Sequence, residues 1–329
     1  MTTECADARK STVRCASRTR SASNAVTLPL WLLLTALVAS PAGFAPAAAM
    51  AQNVAATTWE SGPKGVAPAD PLAIPPRAWV NDVIANEVTA LHHKDSYLRY
   101  RMHVIDSKGD QVRDVIESKE GTVARLILRN GKPLTEEQDK AERQRLNDML
   151  ESPDAYARHV KNDASEKKLA ESLIRLMPDA MINTYAPGQP QTGKNKDALE
   201  IVLDYKPNPQ FHPPTTTAEA LSGLEGRAWI DAKTRQLVRM EGTVFRPINF
   251  GWGMLAHIYP GGKLTLDQTD AGGGREIFTH FTYHLTVRAL MVKTINVNLN
   301  VEASNFQTVN PMNYQDAIHV LLNTPLPDR

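Results

Sequence analysis

The sequence predicts an α+β protein built on one large, curved antiparallel β-sheet, an incomplete barrel with helices packed on its concave face. Three observations favour this fold class. Roughly eight to ten segments alternate apolar and polar residues, as half-buried strands do. Short turns join consecutive strands, which antiparallel pairs permit and parallel pairs do not. Helical segments stand between the strand groups and can cover the apolar face of the sheet.

Residues 1–51 are predicted to be a signal peptide rather than part of the fold. Five basic residues precede an apolar run from Leu28 to Ala39, and small residues surround a cleavage position near Ala51. The run contains Pro29 and is short for a bilayer span. We therefore expect a protein of the periplasm or cell envelope with no integral membrane span after cleavage, an uncleaved anchor being the alternative.

Charge and cysteine content exclude several classes of partner and site. The chain has 37 basic and 36 acidic residues, a formal net charge of +1. This balance gives no electrostatic case for binding nucleic acid or an anionic membrane surface. Both cysteines, Cys5 and Cys15, lie in the predicted leader, so the mature chain has neither a disulfide nor a thiolate metal site. No cofactor is expected.

The first half of the mature chain predicts a helix followed by a β-meander. Residues 52–76 are rich in Ala, Pro and Gly and are predicted to be a disordered mature N-terminus, before a single domain over 77–310. Apolar residues with the spacing of an amphipathic helix open this domain. They are Trp79, Val80, Val83, Ile84, Val88 and Leu91. The period changes at Ser96, and three strands joined by short turns follow as far as Asn130.

The second half predicts two helices and then further strands. Thr135–Leu150 is highly charged and has Thr135 and Gln138 at capping-box spacing, and Ser165–Met177 carries an apolar stripe that ends before Pro178. The remaining strands are predicted at Leu199–Tyr205, Arg227–Ile230, Gln236–Phe245, Lys263–Asp267, Glu276–Val287 and Ala289–Ala303. Residues 311–329 are a C-terminal tail with room for a short helix.

The sequence nominates no catalytic residue. It lacks the Gly-x-Ser-x-Gly elbow of serine hydrolases and the paired-histidine helix of zinc proteases. His280 and His284 stand ~13 Å apart if they share a strand, which is too far for one ion. They are read as sheet-face histidines, with a metal site that includes distant carboxylates left open.

The segment from Gly226 to Glu241 carries a family resemblance. It is a strand, a turn with Asp231 and Thr234, and a return strand that ends in Arg239-Met240-Glu241. It resembles a hairpin recurrent in outer-membrane lipoprotein-sorting and lipoprotein-carrier-like proteins, and the order of elements over 77–305 is similar. The resemblance implies a half-barrel with a helical lid and an apolar cavity for the acyl chains of lipoproteins. The chain differs in a helical insertion at 135–177 and a proline-rich link at 206–214.

We therefore predict a non-enzymatic protein that binds a lipid or lipoprotein acyl chain as carrier or chaperone, with an envelope protein as a further partner. Burial of each methylene contributes about 0.8 kcal/mol, so such binding needs neither a nucleophile nor a metal. The residues expected to line the cavity are Tyr100, Met102, Val104, Val238, Met240, Val244, Phe281, Tyr283 and Leu285. Two alternatives remain: a non-catalytic envelope structural or interaction module with a sealed core, and a secreted hydrolase.

Overall fold

The computed structural model describes residues 70–92, 96–193, 198–250, 255–271, 275–289 and 291–327. The predicted signal peptide and most of the predicted disordered N-terminus, residues 52–69, lie outside these ranges. So do the glycines at 272–274, which the sequence predicts to be a hairpin tip.

Within the described residues, fourteen strands form one antiparallel sheet, which confirms the predicted fold class. The strands are β1 Tyr97–Asp106, β2 Gly109–Ser118, β3 Gly121–Arg129, β4 Lys132–Pro133, β5 Met181–Tyr185, β6 Gln191–Thr192, β7 Leu199–Pro207, β8 Leu224–Asp231, β9 Leu237–Val244, β10 Ile248–Phe250, β11 Ala256–Ile258, β12 Lys263–Asp270, β13 Glu276–Ala289 and β14 Lys293–Val309. The main path runs β4-β3-β2-β1-β14-β13-β12-β9-β8-β7-β5. Within the described residues its end strands do not pair with each other, so the sheet is not closed into a barrel.

The part of the chain that the structure describes also forms four α-helices and two short 3-10 turns. They are α1 Pro76–Leu91, α2 Glu136–Glu151, α3 Pro153–Ala180 and α4 Tyr314–Asn323, with 3-10 turns at Pro71–Ala73 and Thr217–Gly223. The capping box predicted for α2 is present: the Thr135 hydroxyl accepts from the Gln138 amide, and the Gln138 side chain accepts from the Thr135 amide. In the described part of the chain, no helix combines the length and the apolar composition of a membrane span.

Helix α3 is longer than the sequence predicted. It begins at Pro153, not at Ser165, because Ser152 caps it by accepting from the Ala155 amide and a proline is favoured at the first helical position. Its end was also predicted too early, since Pro178 lies inside the last turn. The structure therefore gives one long helix where the sequence analysis predicted a short one.

The helices lie on both faces of the sheet. Neighbouring residues of a strand point to opposite faces. Val115 pairs with Ala124 and belongs to the main core with α1 and α3, whereas Ile116 pairs with Val123 and packs against α2 and α4. We call the first face the inner face. Helices α1 and α3 thus cover it as expected, and α2 and α4 cover the opposite face of β2 and β3.

A buried arginine fixes α4 and the residues after it to the sheet. The Arg125 guanidinium donates to the carbonyl oxygens of Leu321 at 2.6 Å and Thr324 at 2.8 Å, and pairs with Asp139 of α2 at 2.8 Å. Ala317 and Ile318 of α4 are fully buried. Residues beyond 310 are therefore an integral part of the second, smaller core.

Candidate functional site

Eight of the nine predicted lining residues lie together on the inner face. Seven of these eight are buried and Val104 is half-buried. The seven are Tyr100, Met102, Met240, Val244, Phe281, Tyr283 and Leu285. Val238 is the exception, because the register shifts where β8 pairs with β9 and places Leu237 opposite Ile230. Leu237 takes the inner-face position that the alternation assigned to Val238, which lies half-buried outside that core.

Most of this face is packed core rather than an open cavity. Near Met240 the space between sheet and helices is only about 40 Å³, lined also by Val83, Ile84 and Met177. A space of this size has room for about one water molecule. The wide hollow expected beneath the helices is therefore filled by the protein's own side chains at this end.

Trp79 of α1 anchors the packed end. Its side chain is fully buried, its indole nitrogen donates to the Tyr185 hydroxyl at 3.0 Å, and the Arg235 guanidinium lies 3.6 Å from its ring centroid. Arg235 lies in the turn between β8 and β9 with a φ of 62°, and the Asp231 carboxylate holds this turn by accepting from the Thr234 amide at 2.6 Å. The hairpin that carries the family resemblance thus docks on α1.

Tyr205 closes the sheet side of the packed end. Its hydroxyl donates to the Glu241 carbonyl oxygen at 2.8 Å, and its ring passes over the paired residues Gly226 and Gly242. A Cβ atom at Gly226 would overlap that carbonyl oxygen. Burial raises the pKa of the Tyr205 hydroxyl well above its usual range, so it remains a neutral donor.

A cavity of about 270 Å³ lies at the other end of the inner layer, between the C-terminal end of α1, the middle of α3 and the first residues of β1 and β13. We call it the α1–α3 cleft. Its floor is apolar and mostly buried, and Tyr100 is the only predicted lining residue in it. The floor comprises Leu91, Leu98, Tyr100, Ile277, Phe278 and Phe306.

Charged residues form the rim of the α1–α3 cleft. The Arg275 guanidinium makes two hydrogen bonds to the Glu117 carboxylate, at 2.7 and 2.9 Å, and Lys167 pairs with Asp163 of α3 at 3.1 Å. Lys119 is exposed and takes part in none of the ion pairs found within the described residues. An apolar floor with a few charged groups at the mouth is the usual build of a small-molecule site.

Glu166 adds a titratable group on α3 beside this rim. Burial, and then the neighbouring Asp163 carboxylate, raise the pKa of Glu166 to about 7. One oxygen of this carboxyl group is buried without a hydrogen-bond partner in the described part of the chain. The charge of α3 near the cleft therefore changes around neutral pH.

Known proteins offer no assignment. No protein-family model matches this chain, and neither curated proteins nor solved structures give a significant match.

The histidines noted in the sequence make ordinary polar contacts. On the outer face of the sheet, His280 and His284 hydrogen-bond to Asn300 at 2.9 Å and Asn298 at 3.1 Å. His92, after the end of α1, contacts Glu171 at 2.8 Å. Within the residues the structure describes, no group of three or more His, Cys, Asp or Glu side chains is arranged to hold a metal ion.

The outer face of β7, β8 and β9 carries a wide open groove of about 530 Å³. Part of its charged lining is paired: Arg227 binds Asp204 at 2.6 Å, and Glu241 accepts from Arg239 at 2.7 Å, whereas Lys206 and Glu225 take part in no ion pair found within the described residues. The groove is lined mainly by polar and charged residues and lacks the apolar floor of the α1–α3 cleft. The α1–α3 cleft is the stronger candidate.

Proposed function

We propose that this protein is a non-catalytic binding protein of the cell envelope that holds a lipid or lipoprotein acyl chain in the α1–α3 cleft, as a carrier or chaperone. The observation that supports it is the 270 Å³ cavity with its floor of aliphatic and aromatic side chains. The leader-like N-terminus and the family resemblance of the hairpin at 226–241 favour the same class of cargo and the same compartment.

The size of the cleft defines what it would hold. Pockets for drug-sized ligands measure about 300–1,000 Å³, so a cavity of about 270 Å³ suits a segment of one acyl chain rather than several whole chains. Each methylene placed on the apolar floor contributes about 0.8 kcal/mol. A few methylenes therefore give measurable affinity without any covalent step.

The rim supplies a position for the polar end of such a ligand. Arg275 and Lys167 are neutralised by Glu117 and Asp163, whereas Lys119 is exposed and has no acidic partner within the described residues. A carboxylate or phosphate at the head of the chain would bind there by a charge-assisted hydrogen bond. The ligand would thus enter with its tail toward Tyr100 and its head at the β2–β3 turn.

Occlusion of the cleft tests the proposal. Val160 of α3 is half-buried and lines the cleft, so Val160→Trp would fill it with an indole ring. We expect affinity for palmitate, measured by calorimetry and by displacement of a fluorescent fatty acid, to fall at least about tenfold. The matched control is Val320→Trp on α4, where the side chain is 37% exposed and remote from the cleft.

A second candidate function is the envelope interaction module with a sealed core. The residual space of about 40 Å³ under α1 favours it, since a carrier with a deep apolar hollow would be emptier there. Failure of palmitate, lysophospholipid and a triacylated lipopeptide to bind the unmodified protein would reject the carrier proposal and leave this module as the better account.

A further inference from the structure

The hairpin of β13 and β14 extends beyond the rest of the sheet. Strand β1 pairs with β14 only as far as Ile105 opposite Asn300, whereas β13 and β14 stay paired to Ala289 opposite Lys293. Beyond that point β11 flanks β13, with Ala256 opposite Ala289. We call β10, β11, residues 285–289 of β13 and residues 291–299 the hairpin lobe.

The tip of the hairpin lobe exposes large apolar side chains. Val292 is 88% exposed, Met291 63% and Leu255 51%, the three highest values among the large hydrophobic residues described. Leu255 directly precedes Ala256, the first residue of β11, which pairs with β13 at Ala289 before the hairpin turn, and paired strands are about 4.8 Å apart. Three such side chains at the end of one projection form a patch rather than isolated surface residues.

The turn keeps an apolar side chain at a position that suits glycine or asparagine. Met291 has a φ of 58°, in the left-handed region, and the Val292 amide donates to the Ala289 carbonyl oxygen at 3.1 Å to close the turn. A bulky residue in this region costs roughly 1 kcal/mol relative to glycine. Folding alone does not favour methionine there.

The lobe is also cationic, although the whole chain is nearly neutral. Neither residues 242–266 nor residues 277–301 contain an aspartate or glutamate, and of their four Lys and Arg residues Arg288 and Lys293 belong to the lobe. Arg288 and Lys293 flank the tip on the two strands of the hairpin. Lys293 takes part in none of the ion pairs of the described residues and is exposed.

We propose that the hairpin lobe docks on an anionic lipid bilayer, with Met291, Val292 and Leu255 inserted at the acyl boundary and Arg288 and Lys293 at the headgroups. Apolar side chains next to Lys and Arg are the composition of interfacial anchors, and each cation near an anionic surface contributes about 1 kcal/mol. The exposed side chain of Lys293 is long enough to reach the headgroups while the tip lies deeper, and half-buried Arg288 adds a second positive charge on the paired strand. This docking is independent of any ligand in the α1–α3 cleft.

A bilayer fits the lobe better than a second copy of the chain does. At the free edge of β14, exposed Asn296 and Asn298 alternate with half-buried Val297, and the strand begins at Lys293. An edge strand with polar and charged side chains disfavours pairing with a strand of another chain. The apolar side chains are concentrated at the end of the projection, where a pairing strand would not cover them. Dimerisation through this strand edge would be detected by light scattering in the absence of lipid.

Vesicle binding tests the proposal. The protein, purified in the form in which the cell accumulates it, is mixed with vesicles of phosphatidylcholine alone or of equal parts phosphatidylcholine and phosphatidylglycerol, and the bound fraction is measured by flotation. We expect binding to the anionic vesicles that weakens at high salt. Val292→Asp should lower the partition coefficient at least about tenfold on both compositions, and Lys293→Glu several-fold on the anionic vesicles only.

Two controls make the result specific. Val320→Asp places the same charge on an exposed valine of α4 and should leave vesicle binding unchanged, and Val160→Trp in the cleft should also leave it unchanged. Equal binding of Val292→Asp and the unmodified protein would overturn the proposal. So would a dimer, seen by light scattering without lipid, that Val292→Asp converts to monomer.

Discussion

The two ends of the inner layer are built from the same helices and the same sheet face, yet only one of them is open. Beneath the middle of α1, Val83, Ile84 and Met240 line a space of only about 40 Å³. Where α1 ends at Leu91, the long helix α3 continues with Val160 and Ala164 over a space of about 270 Å³. The difference lies in the helical cover: Ile84 and Met177 fill the packed end, whereas the smaller Val160 and Ala164 of α3 leave the cleft open.

The comparison shows that the free space between the helices and the sheet depends on where the helical cover stops. A sheet with one apolar face always needs a cover, and large side chains on that cover remove the hollow. The aromatic and methionine residues of the strands are therefore poor markers of a site. The small and half-buried residues of α3 mark it better.

The largest expected effect concerns the packed end. Trp79→Ala would remove a fully buried indole, its hydrogen bond to Tyr185 and the stacking surface of Arg235. We expect a loss of about 3–5 kcal/mol in the free energy of unfolding, measured by urea denaturation. Trp229→Ala is the matched control, because Trp229 is half-buried on the outer face, with Arg239 5.8 Å from its ring.

The control variant should lose less than half as much. If Trp79→Ala and Trp229→Ala cost the same, the packed end would not be the more tightly packed region, and the contrast between the two ends would fail.

The next effect concerns Glu87, a carboxyl group buried in the packed end and facing Gln268 of β12. Burial raises its pKa from 4.5 to about 7, against the opposing effect of the hydrogen bond from Gln268. Below pH 4.5 the group is protonated in both states. Between pH 4.5 and 7 the unfolded chain loses the proton first, so stability falls as pH rises.

Glu87→Gln should therefore stabilise the protein at pH 8 by up to about 3 kcal/mol and have little effect at pH 4.5, as measured by thermal unfolding. Glu137→Gln, on the exposed side of α2, should change neither value. Burial also raises the pKa of Glu276 to about 7, so part of the pH dependence should persist in the Glu87 variant. An unchanged pH profile in Glu87→Gln would show that Glu87 does not titrate in this range.

Local patterns were sufficient for most of the sheet. The alternation of Ile295, Val297 and Leu299 with asparagines predicts a strand, because a repeat of two residues is typical of a half-buried β-strand and not of a helix. The capping box of Thr135 likewise specified the start of α2. The periodicity of a helix does not indicate which face of the sheet the helix covers. The position of α2 and α4 on the face opposite α1 and α3 could therefore not be derived from the sequence pattern.

The site was harder to predict, for two physical reasons. Whether an apolar strand residue borders a cavity depends on what packs against it from distant sequence, as Trp79 does with Arg235. A register shift of one residue also exchanged Leu237 for Val238 on the inner face.

The charge of the hairpin lobe, by contrast, was present in the sequence. The near-neutral total argued against an anionic surface, but that total conceals two long segments, 242–266 and 277–301, without any acidic residue. Net charge by segment, read along with strand order, is the signal that would have identified it.

The smallest expected effect concerns Phe306, on the floor of the α1–α3 cleft. Its ring is half-buried and lies 5.5 Å from that of Tyr100, at the tilted geometry that aromatic pairs favour. Phe306→Ala should cost about 1–2 kcal/mol in urea denaturation, since one side of the ring already borders the cavity. The enlarged cleft should also bind stearate better relative to laurate. Phe245→Ala, at a 40% exposed position, is the control for stability. A loss as large as that of Trp79→Ala would mean that the cleft floor is packed as tightly as the other end, and that the cavity is not a preformed site.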